Sequence, residues 1–478
     1  MDVNEYDLIS IGTGSAMSIV TRVANDDPNM DIAVIENEAP GGICLTRGCI
    51  PSKMLLYPAE IFNHIKESKR FGIDADLEDI DFSYVMDRMR EHTQTESDNI
   101  GQNLRESEHL DFYQDTARFV DDYTLKVGDE TIRAEKIILG TGSRPVKPPI
   151  KNLDKVDYLT SETLLDLEDI PESVIIIGGG YIAAEYGYFL SMMGAEVTII
   201  GRNLQFVPSE EKNVSEVLEN KLSRYMDIYT GYEVTKVGEK GEKKGALAKR
   251  AKVEKENKED KIKVESEEIL LAAGRRSNTD LLEPEKSGVK TDKKGWIKVD
   301  ETLETTKSNI WALGDATGKH MFKHVANYEA EVVYQNAFGN GIREVDYLAV
   351  PHAIFTYPQV ASVGLKEEEA KRRYHDILIG YYPFEYTAKG SAMDIKDYFV
   401  KVIVEQETYR ILGAHIVGPQ ASVLIQEIVN LMYTDDESAV PIYRGMHIHP
   451  SLSEVVQRAF SNLHSHSRDD QHHTHDHD

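Results

Sequence analysis

Cysteine is nearly missing: the 478 residues hold two, Cys44 and Cys49. A secreted scaffold stapled by disulfides needs more, and a structural zinc site needs a second pair of thiols. With only four residues between them, the two cysteines point to redox chemistry or to half a metal site. Positive charge is scarce as well. Against 82 acidic residues stand 54 basic ones, a net charge of −28. That excludes nucleic acid as a partner, because phosphate binding needs a basic footprint. The acidity reads either as a well-solvated surface or as adaptation to a salt-rich cytoplasm, where salt screens the repulsion. Long apolar runs are absent too, none reaching the roughly 18 residues that span a bilayer. No basic leader or cleavage site precedes the strand-like sequence at Tyr6. The expectation is a cytoplasmic protein with no targeting segment and no membrane partner.

What is present is a nucleotide-binding pattern, and it occurs twice. A chain of this length predicts two to four domains. Tyr6 to Ile11 reads as a strand, Gly12-Thr-Gly14 as a tight turn, and Asp31 to Ile35 as a second strand ending in Glu36. Gly12 permits the turn, and Gly14 lets the backbone approach a pyrophosphate at the N-terminus of the next helix. Glu36 stands where a carboxylate accepts ribose hydroxyls. The third fingerprint position is Met17 rather than a small residue. The second copy is complete: strand Val174 to Ile177, then Gly178-Gly179-Gly180-Tyr181-Ile-Ala183, then strand Val197 to Ile200. After it comes Gly201-Arg202, with no carboxylate. A cation there accommodates the 2′-phosphate of NADPH, whereas NADH prefers an acid; alternatively, Arg202 is a surface residue in a loop.

The segment Gly41-Gly-Ile-Cys44-Leu-Thr-Arg-Gly-Cys49-Ile-Pro-Ser-Lys53 carries the chemistry. Five positions along an ideal helix rise about 7.5 Å and turn about 500°, which points the two thiols apart. A disulfide between them therefore needs a distorted turn, which Gly41, Gly42, Gly48 and Pro51 allow. A strained, exposed disulfide is the labile, catalytic kind. Near the C-terminus stands His447-Ile-His449-Pro450-Ser-Leu-Ser-Glu454. A thiol must lose its proton before it attacks, a His is the natural base, and a carboxylate on its other nitrogen fixes the tautomer.

These motifs, in this order over about 5–462, resemble the pyridine nucleotide-disulfide oxidoreductase family. The resemblance implies an α/β fold: two Rossmann-like dinucleotide-binding domains, for FAD and NAD(P), and a C-terminal α+β dimerisation domain. It implies Cys49 as the thiol beside the flavin and Cys44 as the interchange thiol that meets the substrate. Lys53 resembles the lysine at the flavin, Glu185 its partner, and Tyr181 the ring that covers the flavin. Thr141-Gly142-Ser-Arg-Pro145 and Ala273-Gly274-Arg-Arg-Ser-Asn278 resemble the family's two returns at the domain junctions, and Asp315 its ribityl-binding aspartate. His449 resembles the base and Glu454 its partner, supplied by the neighbouring subunit of an obligate homodimer. His449–Pro450 is cis in relatives. His447 reads as structural, and no residue is assigned to a metal.

The implied organisation is an FAD domain at 1–150 and 276–345, an NAD(P) domain at 151–275, a dimerisation domain at 346–462 and a disordered His-rich tail at 463–478. The Lys-rich stretch near 238–262 reads as a solvated insertion. Residues 464–478 hold six histidines, which bind metal or simply stay solvated. Within the family, Ile11 to Ser15, Lys323 to Asn327 and Gly418 to Ser422 are similar to mycothione reductase-type sequences, and the acidity and Arg47 to bis-γ-glutamylcystine reductases. The expected activity is therefore NAD(P)H-driven reduction of a low-molecular-weight thiol disulfide. Ser-Leu-Ser before Glu454 looks more like dihydrolipoyl dehydrogenase, which would make 2-oxoacid dehydrogenase complexes the partner. Arg47 either pairs with substrate carboxylates or caps the redox helix. A structural or metal-binding role on a relict fold is the reading from another class; the intact Cys44, Cys49, Lys53 and His449 weigh against it.

Overall fold

The computed structural model describes residues 3–251 and 260–465. The architecture is mixed α/β: two sheets built mainly on parallel strands, then an antiparallel sheet towards the C-terminus. In the first sheet, strand Asn4–Ile11 lies between Ile32–Ile35 and Glu130–Leu139 and runs parallel to both. Strand Ile310–Ala312 joins the far side of Glu130–Leu139, with Ile137 beside Ile310. The chain thus leaves this sheet and comes back to complete it. Every residue of Ile32–Ile35 is buried, as a parallel strand covered on both faces requires.

The second sheet centres on Ser173–Ile177, flanked in parallel by Glu196–Gly201 and Glu268–Leu271. The helix after its central strand, Tyr181–Met193, buries eight of its side chains in the largest core cluster. The two crossings between the sheets pair with each other: Ser143–Pro145 runs antiparallel to Arg275–Ser277. The third sheet has the strand order His352–Ile354, Gln359–Gly364, Ile411–Gly418, Phe399–Glu405, Ile377–Pro383, Leu463–Ser465. Helices Ala421–Met432 and Glu454–Ser461 share its core through Ile425, Ile428, Val455 and Phe460. Among the described residues no helix is long and apolar enough to cross a membrane.

Two expectations need correction. The stretch near 238–262 is largely sheet rather than solvated loop. Strands Tyr232–Lys240, Lys243–Arg250 and Lys261–Ser266 form an antiparallel meander. Val234, Val237, Ala246 and Ala248 are buried with Ile175 and Ile177 of the second sheet. The inward residues are small and the outward ones long and charged, so the alternation hides inside a lysine-rich composition. Residues 252–259 of that stretch lie outside the described residues. The tail does not begin at 463 either. Leu463–Ser465 adds a strand to the edge of the third sheet, with Leu463 beside Gly380. The rest of the His-rich segment lies outside the described residues.

Candidate active site

The first glycine turn stands at the end of strand Asn4–Ile11. Gly12 has φ +100°, and a Cβ there would sit 2.3 Å from the Gly140 carbonyl oxygen. Only glycine fits that approach. Met17 departs from the fingerprint, yet the helix still packs closely. Ala16, almost fully buried, takes the contact at Gly140 that a small third residue would otherwise make. Glu36 is tied back to this turn: its carboxylate accepts from the Thr13 N–H at 3.0 Å and the Thr13 hydroxyl at 2.7 Å. Thr13 Oγ1 also accepts from the Gly41 N–H at 2.8 Å, which joins the turn to the redox segment. Gly42 has φ +70°, and a Cβ there would lie 2.6 Å from Gly14 Cα. The redox segment therefore starts directly on the glycine turn.

That segment is two helices, Gly42–Thr46 and Cys49–Glu67, with the break at Arg47 and Gly48. The break replaces the continuous turn that would have pointed the cysteines apart, and the two thiols reach each other in a hydrogen bond. They titrate as a pair. The first proton leaves at about 7, drawn down by the hydrogen bond between the sulfurs and by Lys323 and Lys53 against the cost of burial. The second is held well above the ordinary thiol range, first by the hydrogen bond to Cys44, then by burial, and further by the negative charge already on Cys44.

A cavity of about 1410 Å³ runs from the glycine turn past both sulfurs. An ordinary small-molecule pocket holds roughly 300–1,000 Å³. Its lining gathers Gly12, Gly14, Glu36, Cys44, Cys49, Lys53, Thr141, Gly142, Tyr181, Glu185 and Asp315, eleven of the expected site residues. Lys53 Nζ pairs with Glu185 at 2.9 Å and stands 4.6 Å from the Phe355 ring centre. Glu185, almost fully buried, also accepts from the Phe355 N–H at 2.9 Å. Asp315 accepts from the Ser143 hydroxyl at 2.5 Å. Burial pushes the Tyr181 hydroxyl up to about 12. Thr141 Oγ1 is buried without a hydrogen-bond partner, though it belongs to a cavity-lining residue. A bare glycine turn, a carboxylate at the second strand's end and an orphaned hydroxyl fit a long dinucleotide with phosphates and hydroxyls.

The second turn repeats the first outside this cavity. A Cβ on Gly178 would meet the Ala272 carbonyl oxygen at 2.1 Å, Gly180 has open space beside it, and Ala183 is fully buried. A Cβ on Gly201, at the next strand's end, would come 3.2 Å from Gly179 Cα. Arg202 is exposed and forms no ion pair among the described residues. Gly274 sits in the crossing, its carbonyl accepting from the Val146 N–H at 2.9 Å. His449 and Glu454 also stand away from the cavity of their own chain. His449 Nδ1 meets Glu454 Oε1 at 2.9 Å, and the Ser451 N–H donates to Glu454 Oε2 at 3.1 Å. His449 pulls the Glu454 carboxyl below its ordinary value. The imidazole is 69% exposed, and the His449–Pro450 bond is cis. His447 is mostly buried, with Nε2 at 2.9 Å from Glu427.

Residues 6–330 match the family model described as "Pyridine nucleotide-disulphide oxidoreductase", and residues 350–460 match that family's dimerisation domain. The chain belongs to this family. Members are flavoprotein disulfide oxidoreductases that use FAD and NAD(P)H. Mycothione reductase of Mycobacterium tuberculosis is 34% identical, over 96% of this chain and 99% of its own. Dihydrolipoyl dehydrogenase of Chlamydia muridarum is 33% identical, over 94% and 95%. Among solved structures, the Cu(II) complex of the HOCl-induced flavoprotein disulfide reductase RclA from Escherichia coli superposes with a TM-score of 0.85. It is 26% identical and covers 96% of this chain and 99% of its own.

Within this family setting one sequence reading gains a local partner and one residue is new. The Arg47 guanidinium is clasped by Glu38 and lies 3.6 Å from Glu162, which gives weight to its local role beside the redox helix. Its charge is already answered by its own chain. Lys323, which sequence reasoning used only as part of a likeness, lines the cavity and depresses the Cys44 thiol. Its position was the available signal. A lysine that opens a helix faces the positive end of the helix dipole, where a cation is disfavoured.

Proposed function

We propose that this flavoprotein reduces a low-molecular-weight thiol disulfide with NADPH. The observation that carries the reading is the coupled thiol pair Cys44–Cys49, one of whose protons leaves at about 7. A thiolate is then abundant near neutrality, and the thiolate is the nucleophile of disulfide exchange. In the reduced pair, Cys44 attacks one substrate sulfur. A mixed disulfide forms, and the leaving thiolate takes a proton from His449 of the partner subunit. Cys49 then attacks the Cys44 sulfur. The second thiol leaves, and the Cys44–Cys49 disulfide is regenerated. The Gly12–Gly14 turn, Glu36, Thr141 and Asp315 would hold FAD, which when bound would supply the two-electron path from the nicotinamide to that disulfide. Lys53, paired to Glu185, would add a positive charge to that site. The turn Gly178 to Ala183 would hold the nicotinamide nucleotide, and Arg202 would answer its 2′-phosphate. The reading takes the active unit to be a homodimer, in keeping with the family's dimerisation domain.

The similarity to mycothione reductase supports a small disulfide, and the missing carboxylate at Gly201-Arg202 supports NADPH. The test is oxidation of NADPH and NADH by the FAD-loaded protein, with mycothiol disulfide, bis-γ-glutamylcystine and lipoamide as acceptors. A preference for NADPH and a small thiol disulfide is the expected result. A preference for NADH and lipoamide would make the chain a dihydrolipoyl dehydrogenase and overturn the reading of Arg202.

A further inference from the structure

Lys323 opens the helix Lys323–Phe338 and lines the cavity with Cys44 and Ser15. Its Nζ donates to the Ser15 hydroxyl at 2.8 Å, and that hydroxyl donates to Asn327 Oδ1 at 2.9 Å. Both tethers are neutral. Three other cations of the cavity lining are answered by carboxylates. Lys53 has Glu185 at 2.9 Å, Arg47 has Glu38 and Glu162, and Arg275 has Glu162 at 3.4 Å. Lys323 forms no ion pair among the described residues. A paired cation projects little field beyond its partner, whereas an unpaired one projects its whole charge into a low-dielectric cavity. The helix dipole opposes a cation at this position, so Ser15 and Asn327 hold it where the helix alone would not.

We propose that Lys323 is a positioning residue for thiol exchange: its uncompensated ammonium, tethered by Ser15 and Asn327, stabilises the negative charge on Cys44 that attacks the substrate disulfide. The proposal rests on the reading that Cys44 is the interchange thiol. The depressed Cys44 thiol agrees with it, since Lys323 acts there more strongly than Lys53. The charged and titratable groups that share the cavity lining with Cys44 include Cys49, Lys53 and Arg47 from its own segment, Glu36 and Glu38, Arg88, Tyr181 and Glu185, Arg275, Asp315, and Lys323 with His324. Of the lysines and arginines among them, Lys323 and the solvent-exposed Arg88 form no ion pair among the described residues, and of these two it is Lys323 that acts on the Cys44 thiol.

The test is the pH dependence of iodoacetamide alkylation at Cys44, in reduced FAD-loaded protein carrying Cys49→Ser. Lys323→Met is expected to raise the midpoint by about one unit and to slow alkylation about tenfold below it, with Lys323→Arg restoring both. An unchanged midpoint in Lys323→Met overturns the proposal. Should that variant lose its flavin, the parent protein carries the test. Its midpoint must rise with ionic strength if an unpaired cation sets it, and a salt-independent midpoint overturns the idea. Turnover by Cys44→Ser addresses the underlying reading separately. A Cys44→Ser protein that still reduces disulfides sinks the interchange role, whatever Lys323 does.

Discussion

At the residue scale, the exchange depends on where each proton sits. His449 meets Glu454 through Nδ1, and Glu454 is fixed in turn by the Ser451 N–H. In the proposed exchange that arrangement keeps one imidazole proton at Nδ1 and leaves Nε2 to face the leaving thiolate. Glu454→Gln keeps the shape and removes the charge. Without the carboxylate the imidazole loses the group that orients it, and kcat/KM for disulfide reduction should fall by about 10²-fold. An unchanged kcat/KM would remove Glu454 from the mechanism. This pair was legible in the sequence because His, Pro and Glu lie within a few positions of one another. Lys323 was not. Its neighbours Cys44 and Ser15 are hundreds of residues away in the chain, and only the fold sets one ammonium against them. The local partners of Arg47 were hidden for the same reason: a cation between two cysteines gives no sign in the sequence that Glu38 and Glu162 will fold over it.

At the element scale, the loop after strand Glu196–Gly201 is fastened to the third sheet by buried charge. Lys401, 4% exposed, pairs with Glu211 at 2.9 Å and Glu367 at 2.6 Å. Glu210 meets His352 and Ser362, both at 2.7 Å. The same loop touches the second glycine turn, since the Val207 N–H donates to the Gly179 carbonyl at 2.8 Å. Lys401→Met would leave Glu211 and Glu367 without their shared cation. The expected cost is about 3–5 kcal/mol, read as a lower midpoint in denaturant unfolding. Acid should loosen the same contact. Burial pushes the Glu367 carboxyl up, but the Lys371 and Lys401 ammoniums outweigh it and hold it at about 2. Stability from a carboxylate depressed in this way is present above its ordinary value and lost as pH falls towards the depressed one. Glu367→Gln should therefore flatten the loss of Tm between about pH 4.5 and 2. Strands and glycine turns were readable because both nucleotide-binding units are local patterns, strand, turn and helix within thirty-odd residues. The charged meander was not, because alternating small residues carry little signal when every second side chain is a lysine or glutamate.

At the scale of the whole molecule, the thiols and the proposed base stand apart within one chain. The thiols line a cavity whose walls lack His449, and His449 stands 69% exposed on the dimerisation domain. Around it Met446 and Ile448 are also largely exposed, 102% and 79%, an apolar surface that a second copy would cover. If the partner's His449 completes the site, two dead chains can make one live dimer. Cys49→Ser lacks a thiol but keeps its histidine; His449→Ala lacks the histidine but keeps both thiols. A heterodimer of the two contains one site with intact thiols facing an intact histidine. Random reassociation of equal amounts should then recover about a quarter of wild-type disulfide reduction, well above either parent. Were thiols and histidine to act within one chain, every site in the mixture would carry one of the two lesions. Reassociation would then recover nothing.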